Sequence, residues 1–134
     1  TISLPPQTVL PILSGVIPLG DSVPVRVGFT MEEPESYPVM QPLPVVFIPR
    51  ETKINATDVP PSLQSKIFNT STVYSTKQTT AVGLLFDEKN NVVGVSQTIV
   101  PPIAPSGSVD ISFVWRKAFA STPVRAEVVP YPLW

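Results

Sequence analysis

The chain predicts an all-β fold, a β-sandwich of about nine short strands with Pro-rich connections and no substantial helix. Three observations carry this expectation. Apolar and polar residues alternate with period two in several runs, the pattern of a strand with one buried face. The 18 prolines among 134 residues stand between the apolar runs instead of clustering, so they punctuate strands and interrupt helices. The sequence also echoes itself. Gln7-Thr8-Val9-Leu10-Pro11, Ser22 to Phe29 and Pro42 to Pro49 recur as Gln97-Thr98-Ile99-Val100-Pro101, Ser108 to Trp115 and Pro123 to Pro130.

Taken in order, Thr1 to Leu13 is an apolar segment with Ile2, Leu4, Val9, Leu10, Ile12 and Leu13 and no charged side chain. Leaving it in water is unfavourable, so it is expected to pair with something. From Ser22 to Phe29, Val23, Val25, Val27 and Phe29 alternate with Ser22, Pro24, Arg26 and Gly28. This reads as a strand, and Pro24, lacking an amide donor, places it at a sheet edge. Leu63 to Asn69 reads as a further strand and Thr70 to Thr79 as a polar connection. Thr80 to Val100 reads as a hairpin, with Val82, Leu84 and Phe86 leading into Asp87-Glu88-Lys89-Asn90-Asn91 and Val92-Val93-Gly94-Val95 leading out. Asn tolerates the left-handed conformation that such a turn requires. The loop Pro101 to Gly107 then precedes the Ser108 to Trp115 strand, whose Val109, Ile111, Phe113 and Trp115 share one face, and Phe113 and Trp115 are expected in the core. The last strand closes on Val128-Val129-Pro130.

The two halves of the echo have unequal flanks. Residues 51–134 read as a complete sandwich-like unit, and residues 1–50 as a donor-like segment plus a partial β-unit; the alternative is that both close into one sandwich. Residues Leu85-Phe86-Asp87, Val92-Val93-Gly94 and the Ala104-Pro105-Ser106-Gly107 loop resemble the immunoglobulin-like modules of prokaryotic surface proteins, the FxLYD type included. That resemblance implies an extracellular or cell-surface immunoglobulin-like sandwich with a structural or binding role, and no catalytic residues.

Composition narrows the function classes. Charged residues make up 14% of the chain and the net charge is -1, which gives no electrostatic footprint for nucleic acid. There is no cysteine and no histidine. Thiol nucleophiles, thiolate metal sites and the commonest general base are therefore missing, and neither an enzyme nor a cofactor is expected. No run approaches the roughly 18 apolar residues of a transmembrane segment. The start at Thr1 lacks the charged and apolar regions of a secretory signal, as expected of a processed chain.

Candidate sites are few. Asn55-Ala56-Thr57 and Asn69-Thr70-Ser71 are glycosylation sequons, and in a secreted glycoprotein both asparagines are expected on exposed turns or edges. Glu32, Glu33 and Glu35, or Asp87 and Glu88, offer oxygen ligands for calcium, but the spacing is not that of an EF-hand and solvated loops account for them. Tyr37, Tyr74, Tyr131 and Trp134 could stack on surface glycans if one face gathered them; otherwise Tyr131 and Trp134 cap an end of the sandwich. A partial β-unit exposes a sheet edge, and strand addition by another copy's N-terminal segment fills such an edge and builds a pilus-like filament. The expected function is thus a structural subunit of an extracellular homo-polymer polymerising by donor-strand complementation. The alternative is a secreted carbohydrate- or protein-binding module.

Overall fold

The computed structural model describes residues 9–13, 25–26, 28–30, 32–33 and 47–131. The described residues form six strands and no helix: β1 Phe47–Asn55, β2 Ser62–Asn69, β3 Thr79–Phe86, β4 Val92–Val100, β5 Ser108–Val114 and β6 Arg125–Pro130. They make two antiparallel three-stranded sheets, one in the order β1-β2-β5 and the other β4-β3-β6. The sheets stack face to face, with β1 over β6 and β5 over β4. The all-β, sandwich-like class is as expected, with six strands described where about nine were expected.

The core lies between the sheets. Leu63, Ile67, Ile111 and Phe113 come from one side, and Ala81, Leu85, Val100 and Val128 from the other. The second half of the echo supplies β5 and β6 on their expected runs, β2 forms on the separately expected Leu63 to Asn69 run, Phe113 is buried, and Trp115 packs against the core. Trp115 meets the Phe119 ring edge-on at 5.4 Å and donates its indole N–H to the Val95 carbonyl at 3.1 Å. The ring thereby satisfies its polar end while closing one side of the sandwich.

The hairpin forms as its sequence dictates. Asn90 takes φ 64°, and the Asp87 carboxylate accepts from the amides of Lys89 and Asn91, so the turn is closed by its own Asp and Asn residues. A second non-glycine residue in the left-handed region, Glu51 at φ 52°, sits in the irregularity between Arg50 and Lys53 where β1 slips against β2. An extra residue in one strand of a pair is a β-bulge, and here it falls in a charged stretch at a sheet edge.

One expectation is corrected. Among the described residues of the Ser22 to Phe29 run none lies in a strand, and Val25 is 100% exposed. Alternation marks a face that could be buried, but a strand also needs a ladder partner and a layer to cover it. β1 runs continuously across residues 50 and 51, and its ladder to β2 joins Phe47 through Asn55 to the rest of the sandwich.

Candidate functional site

The register decides what each sheet shows to solvent. A Cβ on Gly83 would lie 3.0 Å from the Phe113 ring and 3.1 Å from Leu63, so Gly83 faces the core, as do Ala81 and Leu85 on the same side of β3. Val82, Leu84 and Phe86 therefore point outward. These are the three residues that stand out in the sequence of the hairpin, and they form an outer face, not the core.

Around them the outer face of β4-β3-β6 is largely apolar. Leu84 pairs with Val95, Phe86 with Val92, Thr80 with Ile99, and Val82 with Val129 on the other side. Ile99 is 60% exposed, and Val92 and Val95 are exposed as well. Val82, at the centre, has 0% exposure although it belongs to no part of the inter-sheet cluster. One end of this face is polar: Arg125 lies 3.8 Å over the Phe86 ring, donates to the Asn90 side-chain carbonyl at 2.7 Å, and pairs with Glu127. At the other end Tyr131 continues the β3–β6 ladder through its amide bond to the Thr80 carbonyl.

Tyr131 also ties in the N-terminal segment. Its hydroxyl donates to the Pro11 carbonyl at 3.1 Å. Leu10 and Pro11 are half-buried, whereas Val9 is 90% and Ile12 68% exposed and Leu13 is also exposed. Of the six apolar residues expected to form a donor strand, Val9, Leu10, Ile12 and Leu13 are described and lie in no strand; Ile2 and Leu4 fall outside the described residues.

The edge beside this face has no ladder partner among the described strands. β6 pairs with β3 alone, and β1 of the opposite sheet packs close to it without pairing. With Tyr131 bonded to Thr80 and the antiparallel alternation carried back along β6, Ala126 and Val128 direct both backbone groups outward, and Pro130 directs only its carbonyl.

The sequons behave differently from each other. Asn55 is half-buried at the end of β1 and its amide donates to the Ser62 hydroxyl at 3.2 Å. Asn69 is 2% exposed. Its Nδ2 donates to the carbonyls of Tyr74, Ile103 and Ala104, while its Oδ1 accepts from the Ser71 amide. The expectation of an exposed sequon fails at Asn69, because this amide is used to fasten the 70–78 and 101–107 loops together. Thr76 adds to the same clamp, accepting from the Ile103 amide through its hydroxyl at 2.7 Å and donating its own amide to the Ile103 carbonyl. No signal in the local triplet distinguishes this role from a modification site, since the partners lie more than thirty residues away in the chain.

The remaining candidates are not brought together. Tyr74 projects from the 70–78 loop and Tyr131 from the end of β6; Tyr37 and Trp134 lie outside the described residues. Glu32 and Glu33 are exposed and Glu35 is outside the described residues. Asp87 serves the turn: the Asn91 side chain, the amides of Asn91 and Lys89, and the Ser121 hydroxyl all donate to it, and these bonds hold its carboxyl below the ordinary value of 3.8. Among the described residues no group of three His, Cys, Asp or Glu side chains is placed to hold a metal, and no helix is long and apolar enough to cross a membrane. No known protein family, curated protein or solved structure matches the chain.

Proposed function

We propose that this chain is a structural module of an extracellular or cell-surface assembly, an immunoglobulin-like sandwich that joins copies of itself by β-strand addition. The observation that carries the reading is the outer edge of β6, which offers Ala126 and Val128 backbone groups with no described partner strand. A strand laid along it would extend β4-β3-β6 and satisfy those groups, the mode by which exposed sheet edges capture extended segments. The Val9 to Leu13 segment supports the choice of donor, since Val9, Ile12 and Leu13 remain exposed on their own chain. In a head-to-tail arrangement such a contact does not close, and it propagates into a filament.

The experiment uses two full-length variants. In the first, Val9, Leu10, Ile12 and Leu13 are all replaced by Ser; in the second, Ala126→Pro removes the outward N–H without touching the β3 side. Sedimentation of the wild type at micromolar concentration should give a mass several times that of one chain, and both variants should fall to the monomer while keeping their β-sheet circular dichroism. A monomeric wild type, or undiminished assembly in both variants, sinks the proposal.

A further inference from the structure

We infer that the outer face of β4-β3-β6 is a docking surface for an extended, uncharged, proline-containing segment, and that its occupant in the single chain is that chain's own Val9–Leu13. The first support is direct: the Tyr131 hydroxyl, at the end of the edge strand of this sheet, donates to the Pro11 carbonyl at 3.1 Å. Second, the segment is seated on one side, with Leu10 and Pro11 half-buried while Val9 and Ile12 face solvent. Third, Val82 points away from the core and still has no exposed surface, so the centre of this face is covered.

The chemistry of segment and surface agrees. Val9 to Leu13 carries no charge, and the half of the face toward Tyr131, with Thr80, Val82, Gln97, Ile99 and Val129, carries none either. Pro11 has no N–H and a fixed φ, so one side of the segment lacks an amide donor at its centre. A proline-fixed extended segment keeps its carbonyls free of internal hydrogen bonds, and surfaces that recognise such segments combine apolar contact with aromatic side chains, as Tyr131 does here. The charged end, with Arg125 and Glu127, bounds the surface on the side away from Tyr131. The consequence is a parked segment: docked on its own face, Val9–Leu13 is withheld from any neighbour. The docking stands whether or not the chain assembles.

The test exploits the lack of cysteine. In the full chain, Val9→Cys alters a residue that is 90% exposed and gives a single site for a nitroxide spin label. In one sample the labelled chain is also isotope-enriched and diluted with excess unlabelled chain at natural abundance; in the other, label and isotope are on separate chains. Broadening of the Thr80, Val129 and Tyr131 signals is expected in the first sample and not in the second. Tyr131→Phe should lower the docking constant about five-fold, the equivalent of one neutral hydrogen bond. Broadening centred on Gln64, Lys66 and Ser112, or none at all, overturns the surface. Broadening found only in the second sample overturns the occupant, because the segment would then belong to a second copy. Both samples also carry Ala126→Pro, which blocks strand addition at the β6 edge, so these signals report docking within the single chain and the two ideas fail separately.

Discussion

The two sheets share one core and present opposite surfaces. Outside β1-β2-β5 the centre holds Arg50, Lys53, Gln64, Lys66, Asp110 and Ser112, with Ile48, Phe68 and Val114 toward the ends and the Lys66 ammonium 2.9 Å from Glu51 and 4.0 Å from Asp110. Outside β4-β3-β6 the centre holds Val82, Leu84, Val95, Ile99 and Val129, with Thr80, Gln97, Arg125 and Glu127 among them. A sandwich sheet facing water ordinarily alternates apolar-in with polar-out. The first sheet follows that pattern at its centre, and the second carries apolar residues on its outer face as well, with Val82 fully buried there and Gln64, its counterpart on β2, exposed.

The comparison breaks most severely where the polar sheet is fastened. Asn69→Ala removes a buried amide at the end of β2 and takes the partner from the Tyr74 carbonyl and the Ser71 amide, while the Ile103 and Ala104 carbonyls keep the amides of Thr76 and Gly107. Unpaired buried polar groups are destabilising by about 1–3 kcal/mol each, partly relieved when loops relax, so a total loss of roughly 3 kcal/mol is expected in urea unfolding. A change under a few tenths of that would mean the loop clamp is not formed. Asn69→Asp keeps the acceptor and loses the donors, and should recover little.

A matched pair sharpens the contrast itself. Val82 and Gln64 each point outward from the central strand of their sheet, the one with no exposed surface and the other exposed. Burying a valine contributes about 1.5–3 kcal/mol, so Val82→Ala is expected to cost about 2 kcal/mol, whereas Gln64→Ala should stay within about 0.5. Equal effects would erase the distinction between the faces. Gly83→Ala checks the register underneath it. The added methyl meets the Phe113 ring and Leu63 inside normal contact distance, and overpacking of this kind is expected to lower stability by about 1 kcal/mol or more. A neutral or stabilising result would mean that β3 is turned over and Val82 is core after all.

That register is where sequence reading reached its limit. β2, β5 and β6 were legible because their apolar residues alternate with Ser, Gln, Asp or Glu, which leaves one choice of inner face. In Ala81-Val82-Gly83-Leu84-Leu85 both parities are apolar, so alternation carries no direction. The residue that decides is Gly83, whose missing side chain admits Phe113 from a strand some thirty positions onward. The Ser22 to Phe29 run fails for the complementary reason: its alternation is regular, but a local pattern does not supply a partner strand. The burial of Asn69 was not legible because half of its clamp, the 101–107 loop, lies more than thirty positions away in the chain. The open edge of β6 is likewise a property of topology, visible only once the sheet order is known.

The smallest predicted effect concerns the polar end of the apolar sheet. The Asn91 side chain and amide, followed by the Lys89 amide and Ser121 hydroxyl, stabilise the charged form of Asp87 against a lesser opposing effect of burial, and its folded-state pKa lies below 3.8. In the unfolded chain the carboxyl titrates near its ordinary value. As pH falls, the unfolded state takes up the proton first, so the contribution of Asp87 to stability is present above the ordinary carboxylate range and is lost as pH drops through the lower folded value. Carboxyl chemical shifts of Asp87 followed by NMR should therefore move at lower pH in the folded protein than in the urea-unfolded chain, with the Lys89 and Asn91 amides shifting in step. Asp87→Asn should abolish that acid step while leaving the Tyr131–Pro11 contact unchanged, because the turn and the hydroxyl lie at opposite ends of β6. Were Asp87 to titrate at its ordinary value, the carboxylate would not be holding the turn, and the polar end would owe its order to Arg125 stacked on Phe86.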